Sequence, residues 1–384
     1  MKLAALDVGS NTVLMLVVEC GADEKPRVLA DLSRITRLGR GVDASGHLDQ
    51  ESAARTLETI AEFADKARAL GVQKIAGVAT AALRDASDGS GFLRKVTQRT
   101  GVTLEVISGQ AEAQLSYLST RKGLGLSTAD KLLIVDIGGG STELVRAEPD
   151  RALEVVSLQL GSVRLTERII HHDPPPASEV ETLHTVVDNA LRQLDWNYRP
   201  ARMVGTAGTV TTLCAIALGL ERYSPELVHG YRLGATKISR LIELLGSMAL
   251  EQRKQLPGME PGRADVLFAG AVILERVMNY FGCGEIIVSD QGVRWGLLWR
   301  EIEGQTPPTS NDHSNLGAPL PLYGALHSPM PLPRGCAGWR PPGGANRDDQ
   351  VGAYRNSGGG NAAAEKAGGG NGRVDFRADH PRDL

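Results

Sequence analysis

Cysteine is scarce in this sequence. Its four, Cys20, Cys214, Cys283 and Cys336, lie far apart and form no CxxC pair. That spacing argues against a structural zinc and against a disulfide framework, and it fits a reducing cytoplasm. An excess of charge of one sign is missing too: 42 Lys and Arg against 45 Asp and Glu leave a net charge of −3. The chain therefore has no bulk attraction for nucleic acid or for an anionic membrane, and any polyanion must be held locally. No apolar run approaches the roughly 18 residues of a membrane-spanning helix, and no charged leader precedes an apolar segment. Neither a nucleic-acid nor a membrane partner is expected. The pattern GxxxxGK[ST] is absent, which sets a P-loop enzyme aside.

What is present suffices for two ordinary cores: 384 residues, 42% of them hydrophobic. Composition changes near Gly304. Residues 305–384 hold 10 of the 19 prolines and 14 of the 45 glycines, with two GGG runs and no sustained apolar periodicity. Such a segment cannot bury enough apolar surface to offset its ordering entropy, so a disordered tail is expected there.

Residues 1–304 alternate apolar runs with helical patterns. Glu51 to Gly71 spaces Ala54, Leu57, Ile60 and Ala64 at helical intervals and ends at a glycine suited to a C-cap. A short strand around Ile75 to Val78 follows, then "LEVIS" at Leu104 to Ser108, then a helix in "GQAEAQLSYLSTRKGLG". The order is α/β.

The opening stretch "LAALDVGSNTVLMLVVE" holds two apolar runs separated by Asp7-Val8-Gly9-Ser10-Asn11-Thr12. This turn is longer and more polar than a hairpin requires. Its plan returns about 130 residues later in "KLLIVDIGGGSTELVRAE", which suggests a duplicated domain. In both, glycines let backbone N–H groups turn inward and Ser or Thr hydroxyls add donors, which makes a nest for an anion such as phosphate. Asp7 and Asp136 would repel that phosphate unless a divalent cation, Mg²⁺ or Mn²⁺, lay between them. A third turn, Gly205-Thr206-Ala207-Gly208-Thr209, precedes a helix and would expose N-terminal amides to an anion. A fourth, at Ser289-Asp290, precedes a helix expected to be well capped. Leu14, Met15 and Leu16 read as core.

Taken in order, "LDVGSNTVLMLVVE", "VATAALRDASDGSGFL", "ISGQAEAQLSYL", "VDIGGGSTELV", "VGTAGTVTTL", "PGRADVLFAGAVIL" and "VSDQGVRWGLL" resemble the exopolyphosphatase and guanosine pentaphosphate phosphohydrolase (Ppx/GppA) family from about residue 2 to about residue 302. The resemblance implies an α/β fold of two ribonuclease-H-like lobes of the actin and sugar-kinase type around a phosphate-binding cleft. The lobes would span 1–125 and 126–304, followed by the tail at 305–384.

The resemblance also implies roles. Gly9, Ser10, Asn11 and Thr12 would hold one phosphate and Gly138, Gly139, Gly140, Ser141 and Thr142 its neighbour, with Gly205, Thr206, Gly208 and Thr209 as a further phosphate turn. Asp7, Asp136 and Glu143 would hold Mg²⁺. Arg84 would reach the polyanion, Arg37 being a weaker candidate, and Glu112 would be the catalytic base. Each has a plainer reading: Arg84 with Asp85 as an exposed ion pair, Glu112 on a solvated helix face, Glu143 pointing outward from a strand. Adjacent His171 and His172 cannot both face one ion from a regular element and read as a surface loop. His229 reads as structural.

The expected activity is release of terminal orthophosphate from short inorganic polyphosphate by a cytoplasmic homodimer. The alternatives are guanosine pentaphosphate hydrolysis, an ATP-binding actin-like scaffold or sugar kinase, and a polyphosphate-sensing binding protein.

Overall fold

The computed structural model describes residues 1–21 and 26–304. The tail expected at 305–384 lies outside the described residues.

Two sheets organise the described chain. The first contains β1 (Lys2–Val8), β2 (Thr12–Glu19), β3 (Arg27–Ile35), β4 (Lys74–Ala79) and β5 (Leu104–Val106) in the order β3-β2-β1-β4-β5. The second contains β6 (Leu132–Ile137), β7 (Thr142–Ala147), β8 (Glu154–Leu158), β9 (Arg202–Thr206), β10 (Arg232–Gly234) and β11 (Glu285–Val288) in the order β10-β11-β9-β6-β7-β8. In each, the first three strands form an antiparallel meander, and two later strands, β4 and β5 in the first and β9 and β11 in the second, join in parallel through crossovers containing helices. That shared order is the ribonuclease-H-like lobe occurring twice, with one added edge strand, β10, on the second.

The sequence explains why β1 and β6 are central. Each is an unbroken apolar run that ends in an acid, and each is buried almost throughout, as a strand covered on both faces must be. The register repeats as well. Asp7 pairs across the hairpin with Leu14, and Asp136 pairs with Glu143. In the intervening turns the Gly9 N–H donates to the Thr12 carbonyl at 3.0 Å and the Gly138 N–H to the Ser141 carbonyl at 3.0 Å. A Cβ on either glycine would lie 3.2 Å from that same oxygen, so both turns close on a bare backbone.

The expected helix runs over Gln50–Ala69, with Gly71 in the left-handed conformation just beyond its C-cap. Helix Gly109–Gly123 connects the lobes; Ser108 caps it by accepting the Ala111 N–H at 3.2 Å. Helix Val293–Ile302 differs from expectation at its start, where Gly292 is the N-cap and no side chain caps the amides. This helix returns to the first sheet: Val293, Leu297 and Leu298 pack with Leu115 against Leu3, Ala5, Leu16 and Val18. At its crossing with Gly109–Gly123 the Leu115 carbonyl abuts Gly296, leaving no room for a Cβ.

Candidate active site

A cleft of ≈ 680 Å³ opens between the sheets where β1 and β6 end. The two duplicated turns meet at its floor: a Cβ built on Gly139 would lie 3.1 Å from Ser10 Cβ, and one on Gly140 would lie 3.0 Å from Ser10 Oγ. Asp7, Gly9, Ser10, Asn11 and Thr12 line it from the first lobe. Asp136, Gly138, Gly139, Gly140, Ser141, Gly208 and Thr209 line it from the second, and Glu112 from the connecting helix. Residues expected from distant parts of the sequence are thus brought together.

Five others stand behind the wall rather than on it. Thr142 donates its hydroxyl to the Leu160 carbonyl. Gly205 accepts the Ser289 N–H at 2.7 Å through its carbonyl, and Thr206 Oγ1 donates to the Gln291 carbonyl at 3.3 Å. Glu143 is buried, not outward, and its Oε1 accepts from Ser141 Oγ and Ser157 Oγ, both at 2.7 Å. Arg84 does not pair with Asp85. Its Nη1 donates to the Ile107 carbonyl at 2.9 Å and lies 3.5 Å from a Glu112 carboxylate oxygen.

Helix Gly109–Gly123 carries Glu112 in its first turn and Ser116 four residues later, on the same face. Ser116 Oγ donates to Asp136 Oδ2, so one helical face holds two carboxylates in place. Ser116 was not singled out from sequence, although its spacing from Glu112 was a usable signal.

Electrostatics at this floor are unbalanced. Burial pushes the Asp7 carboxyl up to about 7, helped by the nearby Asp136 charge and opposed by Arg294. Burial and Asp136 push Glu143 up to about 7, against the Ser141 and Ser157 hydrogen bonds and Arg84. Asp136 is raised by burial, against Ser116. Glu112 is raised well above the ordinary range by burial first, then by Glu143, Asp136 and Asp7, with Arg84 opposing. Asp7 Oδ1, Glu112 Oε2 and Glu143 Oε2 have no hydrogen-bond partner. Buried carboxylate oxygens that repel one another and lack donors suit a hard cation. Among the described residues no three acidic, histidine or cysteine groups form a ready-made metal cluster. What the floor offers a hard cation is therefore one or two carboxylate oxygens, the rest having to come from substrate and water.

The third turn matches its expectation in form. Ala207 adopts φ 68° and starts helix Ala207–Leu218, whose first residues, Gly208 and Thr209, line the cleft. Above Gly208 lies the Arg263 guanidinium, which reaches Thr12 Oγ1 of the other lobe at 3.3 Å. Arg263 belongs to "PGRADVLF", a stretch noted in sequence without a role. Arg294, paired with Asp31 at 2.9 Å, and Asp290 also line the cleft. His229 accepts the Asp290 N–H at 3.2 Å, a structural part. Leu14 is not core: it is half-buried on the cleft wall, while Met15 and Leu16 are fully buried. Arg37 pairs with Asp265 instead of lining the cleft. His171 and His172 are exposed, as expected, and both hydrogen-bond Glu179.

Comparison with known proteins agrees with this geometry. Exopolyphosphatase 2 of Mycobacterium tuberculosis is 34% identical over 312 residues, covering 77% of this chain and 97% of its own. Exopolyphosphatase 1 of the same organism is 32% identical over 317 residues, covering 81% and 91%. The crystal structure of the Aquifex aeolicus Ppx/GppA family member aligns with a TM-score of 0.68 at 31% identity, over 80% of this chain and 99% of that one. The model of the Ppx/GppA phosphatase family matches residues 16–304. With its paired turns, its duplicated lobes and this match over most of its length, the chain belongs to the Ppx/GppA phosphatase family.

Proposed function

We propose that this protein is a Mg²⁺-dependent hydrolase that releases terminal orthophosphate from short inorganic polyphosphate. The observation that carries the reading is the meeting of two glycine-bearing turns, one from each lobe, above the buried acids Asp7, Glu112, Asp136 and Glu143. The naming of the mycobacterial relatives as exopolyphosphatases supports it.

In this reading the turns beyond Gly9 and Gly138, whose own N–H groups close them, hold adjacent phosphates through the backbone at Ser10–Asn11 and Gly139–Gly140, with the Ser10 and Thr12 hydroxyls and the Asn11 amide adding donors. The helix start at Gly208 and Thr209 receives the next phosphate along the chain. Asp7 and Asp136, with Glu143 behind them, would hold Mg²⁺ or Mn²⁺, which when bound would compensate charge on the phosphate oxygens and the departing chain. Glu112, kept basic by burial and by its acidic neighbours, accepts a proton from the attacking water. Arg84, behind the cleft wall, orients that carboxylate and offsets part of the negative charge there. The water oxygen bonds to the terminal phosphorus as the anhydride P–O bond breaks, leaving orthophosphate and a chain one unit shorter.

The apolar and aromatic part of the cleft, at Leu220, Tyr223 and Met259, favours one second reading, guanosine pentaphosphate, whose base needs such a surface. Orthophosphate release from tripolyphosphate and from guanosine pentaphosphate, each with and without Mg²⁺, separates the two. Release from neither in the presence of Mg²⁺ would sink the proposal. The reading carries with it a cytoplasmic homodimer, whose mass in solution is directly measurable.

A further inference from the structure

A polar seam joins the lobes beside the paired turns. Arg37, Gly41, Asp43 and Asp85 contribute from the first lobe, and Arg164, Glu167, Arg168 and Asp265 from the second. The Glu167 carboxylate accepts the Gly41 N–H at 3.1 and 3.2 Å. Arg168 Nη2 donates to both Asp43 oxygens at 2.7 and 2.9 Å. Arg37 pairs with Asp265 at 2.7 Å and donates to the Gly262 carbonyl at 3.1 Å. Arg164, Glu167 and Arg168 are spaced i, i+3, i+4 on helix Ser162–Ile169, so one helical face is given over to this contact.

Arg164 is the central member, and only 12% of its side chain is exposed. Its Nε donates to the Gly140 carbonyl at 2.7 Å, its Nη2 to Asp85 at 2.5 Å and its Nη1 to Asp43. One planar guanidinium thus ties the second phosphate turn to two carboxylates of the opposite lobe, a three-way bond that a lysine cannot make.

We infer that Arg164 is a positioning residue that makes closure of the lobes and ordering of the Gly138–Ser141 turn a single event. The bond from Arg164 fixes the Gly140 carbonyl within the turn that lines the cleft. Parting the lobes withdraws Asp43 and Asp85 from a mostly buried cation, which must then follow them and release Gly140, or stay and lose its counter-charges. The phosphate turn is accordingly competent only while the seam is shut. The substrate named in this inference rests on the proposed function; the latch itself rests on the seam geometry alone. It also accounts for the segment around Arg37, which the cleft chemistry leaves without a part.

The experiment combines kinetics on tripolyphosphate with small-angle X-ray scattering of the full chain. Arg164→Ala is expected to raise KM by about tenfold with a smaller change in kcat, and Arg164→Lys to recover only part of it. The Asp43→Asn, Asp85→Asn protein should show a similar KM, and adding Asp85→Asn to Arg164→Ala should have little further effect, because those two groups serve one contact, whereas Asp43 also holds Arg168. The scattering radius should increase in Arg164→Ala and return toward the wild-type value at saturating tripolyphosphate. Wild-type KM with an unchanged radius, or fully additive effects, would overturn the inference. If Arg164→Ala does not fold, the Asp43→Asn, Asp85→Asn protein decides by the same two readouts. If the wild-type chain neither binds nor hydrolyses tripolyphosphate, the proposed function falls, while the radius of the seam variants still tests the latch.

Discussion

Leu14 stands opposite Asp7 at the position where Glu143 stands opposite Asp136. The duplicated hairpins are therefore chemically unequal. The second places two acids side by side across its strands, and the first places one acid beside an aliphatic wall of the cleft.

This inequality has a consequence for stability against pH. Asp7 and Glu143 are both pushed up to about 7, chiefly by burial. The native state then binds more protons than the unfolded chain between about pH 4 and 7, so stability falls as pH rises through that window. The melting temperature without metal is expected to be lower at about pH 8 than at about pH 5.5, and Glu143→Gln should flatten the difference. Mg²⁺ should raise the melting temperature more at the higher pH, because it binds the ionised carboxylates. Equal stabilisation at both pH values would remove these acids from the cation site.

Ser116 anchors Asp136 from the connecting helix. Ser116→Ala leaves a buried carboxylate short of one donor, a loss of about 1.5–3 kcal/mol if the acid stays ionised. The Mg²⁺ concentration for half-maximal phosphate release should increase several-fold. A melting temperature that drops with no change in that concentration would confine Ser116 to a structural part.

Arg84 divides its guanidinium between the Ile107 carbonyl and Glu112. A lysine can keep the charge but lacks the planar guanidinium fork, so Arg84→Lys should fall between wild type and Arg84→Ala in kcat/KM for tripolyphosphate. Full recovery by lysine would show that charge alone suffices there.

For Glu112, the informative change is Glu112→Gln, which preserves shape and cannot take a proton. The expected loss in kcat is roughly 10² to 10⁴, with tripolyphosphate still bound. Turnover near the wild-type rate would exclude Glu112 as the base.

The parts of the site legible in sequence are those built from contiguous backbone. Asp7 to Thr12 and Asp136 to Glu143 could be read as anion-binding turns because glycine and hydroxyl residues in a row dictate local geometry. The helix around Glu112 followed from its own pattern. Arg263, Arg294, Ser116 and Arg164 were not legible, since each acquires its meaning from a partner far along the chain: Thr12, Asp31, Asp136 and Gly140 respectively. Leu14 was misread for a related reason. An apolar residue in an apolar strand looks like core, and only the arrival of the second lobe makes its face a cleft wall.

The return of helix Val293–Ile302 to the first sheet bears on how the protein is made. Leu3, Ala5, Leu16 and Val18 leave a ribosome nearly 300 residues before the Leu297 and Leu298 side chains that cover them. Burying those two leucines contributes about 1.5–3 kcal/mol each. Until they emerge, one face of the first sheet has only the flank around Ile107 and Leu115 for cover, and its closure awaits a contact of very high sequence separation. A nascent chain stalled before Val293 would thus expose an apolar strand surface for the whole pause, the kind of surface that makes folding intermediates prone to aggregate.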